Sequence, residues 1–239
     1  MRTQPNTARL LEIAEFHLNR VLDYDPYKRF PDIENRDAFR YAIANDPAFS
    51  PLGLDDNRYI IARIGGNLIT SLHRKIGDMY EALFQYLLTC CFDLTEQDLQ
   101  YSVTIQIGDR QQERSTDGRI PIDLLTALEL PLLQKTWQTS KGLAFEIRSC
   151  YQIGDSKRIQ ADWDMARSLA SQNLIPIMLV FCNTSLRSPL LRLRNSWNLF
   201  EGEDTFTFIY HLTNFDLQYF LEQNQTRLTE IITQILDRI

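Results

Sequence analysis

The sequence predicts an α/β fold, and three features carry that expectation. The run "NLIPIMLVFC" (Asn173–Cys182) is almost wholly apolar, as a strand buried on both faces must be. Ahead of it, "KGLAFEIRSCYQIGDSKRIQAD" (Lys141–Asp162) reads as a strand passing into a helix. Strand, helix and buried strand make a βαβ unit, whose crossover should be right-handed. Upstream, a long helix is followed by a strand of strict alternation, "YSVTIQIGD".

The elements follow in order. Leu10, Leu11, Ile13, Ala14, Leu18, Val21 and Leu22 fit a helical stripe over Asn6 to Leu22, and a loop rich in Tyr, Asp and Pro runs to Pro31. Asp46 to Asp56, with Pro47, Pro51 and Gly53, reads as a connection. "GGNLITSLHRKIGDMYEALFQYLLTCC" opens as a loop at Gly65 and becomes the strongest helix, with Ile69, Leu72, Ile76, Met79, Leu83, Leu87 and Cys90 at three- and four-residue steps. Arg74, Asp78, Glu81 and Gln85 occupy its other side.

In the next strand Val103, Ile105 and Ile107 alternate with polar residues up to a Gly-Asp turn. "RSTDGRIPID" supplies the returning strand, which Pro121 ends or confines to a sheet edge. Leu124 to Lys135 has no clear period. A strand over Leu143–Ser149 precedes a helix over about Ser156–Gln172 with Ile159, Trp163, Ala166 and Leu169 inward. Beyond the buried strand come the basic segment "NTSLRSPLLRLRNSW", a short strand near Phe206–Tyr210, and a C-terminal helix with Phe220, Leu221, Leu228, Ile232, Ile235 and Leu236 on its stripe.

Composition narrows the function. With 239 residues, 44% hydrophobic and 11% aromatic, the chain buries a core. A net charge of -6 excludes a protein that coats nucleic acid by charge alone, though not an enzyme with a local basic cleft. Cys90, Cys91, Cys150 and Cys182 show no zinc spacing and read as reduced thiols. His17, His73 and His211 are scattered and offer no nucleophile pattern, and there is no P-loop or GxGxxG. No apolar run approaches membrane-spanning length and "MRTQPNTARLLEIAEF" has no signal-peptide pattern, so a cytoplasmic protein is expected.

One detail stands out. Glu146 and Arg148 lie two residues apart in a strand, so they project from one face while Phe145 and Ile147 face the other way. The order helix, strand, strand, strand with E-x-R, helix, buried strand resembles the PD-(D/E)xK nuclease superfamily, with Arg148 where lysine is usual. "ITSLHRKIGDMYE", "RSTDGRIP" and "FEIRSCYQIGDSKRI" resemble type II restriction endonucleases, in particular the ApaLI-like group. The resemblance spans about Gly65 to Arg194.

It implies a restriction-endonuclease-like αβββαβ core, a mixed sheet flanked by helices, at about residues 65–185 of a single domain over 1–239. A helical addition would occupy about 1–64 and a C-terminal addition about 186–239. It also implies Mg²⁺-dependent hydrolysis of double-stranded DNA at a short palindrome, by a homodimer in a restriction-modification system.

Asp117 and Glu146 would hold the ion, Arg148 would stabilise charge on the phosphate, and Glu81 of the long helix would assist. Asp123 is the alternative to Asp117, and Lys157 the alternative to Arg148. Arg74, Lys75, Lys157, Arg158, Arg187, Arg192 and Arg194 are the candidate DNA contacts. Against this stands a non-catalytic DNA-binding or partner-binding module of the same fold.

Overall fold

The computed structural model describes residues 3–28, 30–107, 110–152 and 156–238, the side chains of residues 107, 110, 156 and 157 excepted. The chain divides into two compact units, Met1–Ala14 with Gly77–Asn224 and Glu15–Ile76 with Gln225–Ile239. Along the chain, α1 (Thr7–Asn19) and α2 (Arg36–Ala44) lead to α3 (Asn57–Phe92) and the single turn α4 (Glu96–Leu99). Strands β1 (Ser102–Ile107), β2 (Arg110–Ser115), β3 (Gly118–Pro121) and β4 (Gly142–Arg148) precede α5 (Ser156–Ser171) and β5 (Leu174–Val180). The chain closes with α6 (Arg187–Leu193), β6 (Asn198–Glu201), α7 (Glu203–Thr213), α8 (Leu217–Gln223) and α9 (Gln225–Leu236).

In the unit built from Glu15–Ile76 and Gln225–Ile239, Phe39 and Ile43 of α2 pack with Ile60 and Ile64 of α3. The loop expected at Gly65 is helix. Ile60, Ile64, Leu68 and Leu72 are all buried at four-residue steps, so the apolar stripe runs unbroken across the glycine pair. That burial outweighs a propensity penalty of about 1 kcal/mol per glycine.

The other unit carries the sheets. β1 and β2 form an antiparallel hairpin. A second, mixed sheet has the order β3-β4-β5-β6, with β3 antiparallel to β4 and the remaining pairs parallel. The α/β class and the βαβ unit β4-α5-β5 are as the sequence predicts, but the strand that returns on β1 is β2, and the segment expected to return forms β3, an edge strand that ends at Pro121 and pairs with β4 instead. Pro176 is tolerated in β5 because β6 begins only opposite Ile177, and Asn198 Nδ2 donates to the Pro176 carbonyl at 3.1 Å.

Every residue of β4 is buried. Its alternation divides the two layers. Ala144 joins Met165, Ala166 and Leu169 of α5 in one core cluster. Phe145, on the opposite face, meets Phe84 of α3 edge to face at 4.9 Å. Glu146 and Arg148 share the parity of Ala144, so the fold turns both toward α5.

Two C-terminal expectations need correction. Phe206–Tyr210 lies inside α7, and the strand there is β6, a few residues earlier. The aromatic content suggested a strand, but Thr205, Ile209 and Leu212 are buried at helical spacing. The single C-terminal helix is two, α8 and α9, separated by Asn224, which ends α8.

Glycine substitutions test this packing. A Cβ on Gly142 would stand 2.6 Å from the Ile120 carbonyl oxygen, which backbone pairing fixes. Gly142→Ala is expected to destabilise by about 1–3 kcal/mol. Gly66→Ala, whose Cβ meets nothing within 4 Å, is expected to stabilise by up to about 1 kcal/mol. Urea midpoints check both signs.

Candidate active site

The site forms where β2 leaves the hairpin and the chain enters the main sheet. Thr116 still donates its N–H to Tyr101, whereas Asp117 donates to the Phe145 carbonyl at 2.9 Å, on β4. β3 pairs with β4 only as far as Gly118 opposite Phe145. The Ile147 N–H therefore has no β3 carbonyl, and Asp117 Oδ2 accepts it at 2.7 Å. A side chain continues the ladder where the backbone stops, and this fixes Asp117 against the Glu146–Arg148 pair.

Arg148 gathers the acids. Its Nη2 pairs with Glu146 Oε1 and with Asp162 Oδ1 of α5 at 2.9 Å, and its Nη1 lies 3.5 Å from Asp117 Oδ2. Nη1 also donates to the Ile147 carbonyl at 2.8 Å. Arg114 of β2 adds a second guanidinium, 3.2 Å from Asp162 Oδ1 and 3.9 Å from Glu146 Oε1. Tyr151 donates its hydroxyl to Asp162 Oδ2 at 2.7 Å, and Trp197 Nε1 donates to the Asp162 carbonyl at 2.9 Å. From α3, Gln85 donates to Glu81 Oε1 and to the Asp117 carbonyl, tying Glu81 to the same corner.

Burial makes these charges expensive. Glu146 is 2% exposed, Arg148 9% and Asp162 0%. The carboxylates of Asp117, Glu146, Asp162 and Glu81 outnumber two guanidinium groups, leaving two negative charges uncompensated when all are ionised. Burial, against the attraction of Arg148, pushes Glu146 up to about 8. Burial likewise pushes Asp117 up to about 6, and burial with Asp78 and Glu146 raises Glu81 to about 7. Burial alone would lower Arg148, but Glu146 and Asp162 hold its pKa well above the ordinary value.

Within this cluster, three buried polar atoms lack a hydrogen-bond partner: Glu146 Oε2, Arg148 Nε and Arg114 Nη1. Among the described residues no group of three or more His, Cys, Asp or Glu is spaced to cage a metal. Mg²⁺ commonly takes only one or two protein carboxylates, with waters and phosphate oxygens completing the octahedron. Asp117 and Glu146 fit that pattern, since Glu146 Oε2 is an unused oxygen donor in a site with surplus negative charge.

The structure thus brings Asp117, Glu146, Arg148 and Glu81 together. Asp123 stands exposed on a short 3-10 turn (Ile122–Leu124), away from these contacts. Lys157 opens α5, with its side chain outside the described residues, and Arg158 beside it is exposed. Arg187 and Arg194 both reach Glu201, at 3.2 and 3.4 Å, and Arg192 is exposed. Arg74 and Lys75 belong to the other unit.

Sequence reasoning missed Asp162, Arg114 and Tyr151. A signal existed for the first two. Asp162 stands three residues after Ile159 and four before Ala166, on the inward stripe of α5. Arg114 pairs with buried Val103 across the hairpin.

An apolar cavity of about 480 Å³, lined by Trp137, Phe200, Phe208, Asp204 and His211 among others, shares no residue with this cluster. No family model, no curated protein and no solved structure matches the chain. No helix among the described residues is long and apolar enough to cross a membrane.

The raised acids set a pH dependence. A carboxyl whose folded pKa lies above its unfolded value binds more protons when folded, so its stabilising effect is complete below the unfolded pKa and is lost as pH rises through the folded one. For Glu146 the window runs from about 4.5 to about 8. Without divalent cations the protein should lose thermal stability steadily from about pH 5 to 8. The slope should flatten in Glu146→Gln, as melting temperatures across that range would show.

Proposed function

We propose that the chain is a Mg²⁺-dependent, site-specific endonuclease for double-stranded DNA, of the type II restriction kind. One observation carries the reading: Asp117 and Glu146, from separate segments, converge on one guanidinium at the end of β4. The surrounding order of helix, strands β1 to β4, helix and strand supports it when β2 and β3, interrupted at Thr116 and Asp117, are taken as one broken strand. In this reading the catalytic groups lie within the expected nuclease core, about residues 65–185.

Asp117 and Glu146 would hold the ion, which when bound polarises a phosphoryl oxygen and acidifies a bound water. The chain's own groups do the rest. Arg148 fixes both carboxylates and places positive potential beside the phosphate. It cannot act as a base, because a guanidinium stays protonated. Glu81, hydrogen-bonded through Gln85 to the Asp117 carbonyl, carries a carboxyl raised to about 7 and is suited to exchange a proton near neutral pH.

Arg158 and Lys157 at the start of α5, Arg192 on α6 and Arg74 and Lys75 on α3 are the proposed phosphate contacts. Arg187 and Arg194 would join them by giving up Glu201. A homodimer would match the two-fold symmetry of a palindrome.

The depth of Arg148 favours a second reading, a DNA-binding or partner-binding module in which this network is structural. The two part on one experiment. Long duplex DNA of known sequence, incubated with Mg²⁺ or a chelator, should yield discrete bands only with Mg²⁺. Asp117→Asn and Glu146→Gln should each reduce cleavage at least about a hundredfold, beyond what loss of a group behind a metal ligand does. DNA that is bound but uncut over a range of sequences and divalent ions would establish the second reading.

A further inference from the structure

We infer that Asp162 is a positioning residue: it shares Arg148 with Glu146 and takes the guanidinium over when Glu146 is engaged by a divalent cation. The inference rests on the metal-dependent reading of the same site and names a residue that reading leaves unused.

The geometry is that of a divided partner. One nitrogen, Arg148 Nη2, bonds Glu146 Oε1 and Asp162 Oδ1 together. Were Glu146 its sole acceptor, diverting that carboxylate would leave a nearly buried guanidinium without a counter-charge, an arrangement proteins avoid. With Asp162 in place, Arg148 keeps an ionic partner throughout.

Asp162 is also built to stay still. It is fully buried, Tyr151 holds its Oδ2 at 2.7 Å, and Trp197 holds its backbone carbonyl at 2.9 Å. Neither anchor touches Glu146 Oε2, which remains without a partner. Asp162 is thus a fixed acceptor, Glu146 has an oxygen to offer, and Arg148 is the mobile charge between them. Arg114, 3.2 Å from Asp162 Oδ1, shares the same oxygen.

Asp162 is therefore required for cation affinity without being a ligand. The test is Mn²⁺ binding to the full chain, followed by the loss of free-ion electron paramagnetic resonance signal. Asp162→Asn keeps the side-chain shape and removes the charge, leaving Arg148 to Glu146. The expected Kd is roughly tenfold weaker, equivalent to about 1.4 kcal/mol. Tyr151→Phe takes an anchor from Asp162 but leaves its charge, and binding should weaken by less, about two- to threefold, under 1 kcal/mol.

A merely structural role would lower stability without grading affinity by the charge and the anchoring of Asp162. Wild-type binding with an unchanged or tighter Asp162→Asn Kd overturns the inference alone. If that variant does not fold, Tyr151→Phe decides, and unchanged or tighter binding overturns it. A wild-type chain that binds no Mn²⁺ overturns the metal-dependent reading and this inference with it.

Discussion

The site is governed by the cost of burying ionised groups. A guanidinium at 9% exposure and a carboxylate at 2% are stable in a protein interior only if their hydrogen bonds are closed around them. Arg148 meets most of this condition through Glu146, Asp117, Asp162 and the Ile147 carbonyl, with its Nε left without a partner. No single secondary element could supply that set, because neighbours on one strand face are spaced for only one such pair. The acids must come from the strand junction at Asp117, from β4 and from α5, so the charge network dictates which elements have to meet there.

The backbone delivers them by simple means. Strand alternation turns Ala144, Glu146 and Arg148 toward α5, and the first of the three anchors α5 through Met165, Ala166 and Leu169. Packing next to the charged pair thereby sets the distance at which Asp162 meets it. The break between β2 and β3 does the second part. A strand that continued in one sheet would have placed a carbonyl opposite the Ile147 N–H, and Asp117 Oδ2 takes that place instead. The interruption is thus the means by which a carboxylate enters the ladder.

Much of this was legible in sequence, for a physical reason. Period-2 alternation identified β1, and apolar runs identified β4 and β5, because burial on one or two faces writes itself directly into residue order. Glu146 and Arg148 were visible for the same reason, as charges interrupting that order. Asp162 was not, since an acid among helix residues looks like a solvated face unless its angular position is compared with the apolar stripe. Gly65 and Gly66 misled in the opposite sense: local propensity argued for a loop, and the burial of residues on either side decided for helix. The strand expected at Phe206–Tyr210 failed likewise, because aromatic content says a residue packs but not at what period.

The choice of arginine at position 148 follows from the number of acids. An ammonium group is a compact point charge, best matched to one or two carboxylates, whereas a guanidinium presents donors in a fixed plane and can face several at once. Here one nitrogen serves Glu146 and Asp162 while the other faces Asp117 and the Ile147 carbonyl. A lysine gathers its three donors on one atom and would not spread them across this set in the same way. The arginine at position 148 and the buried aspartate on α5 therefore belong together: each makes sense of the other. In the nuclease reading the proton chemistry must then lie with a carboxyl, and Glu81, tied to the Asp117 corner through Gln85, is the group placed to carry it.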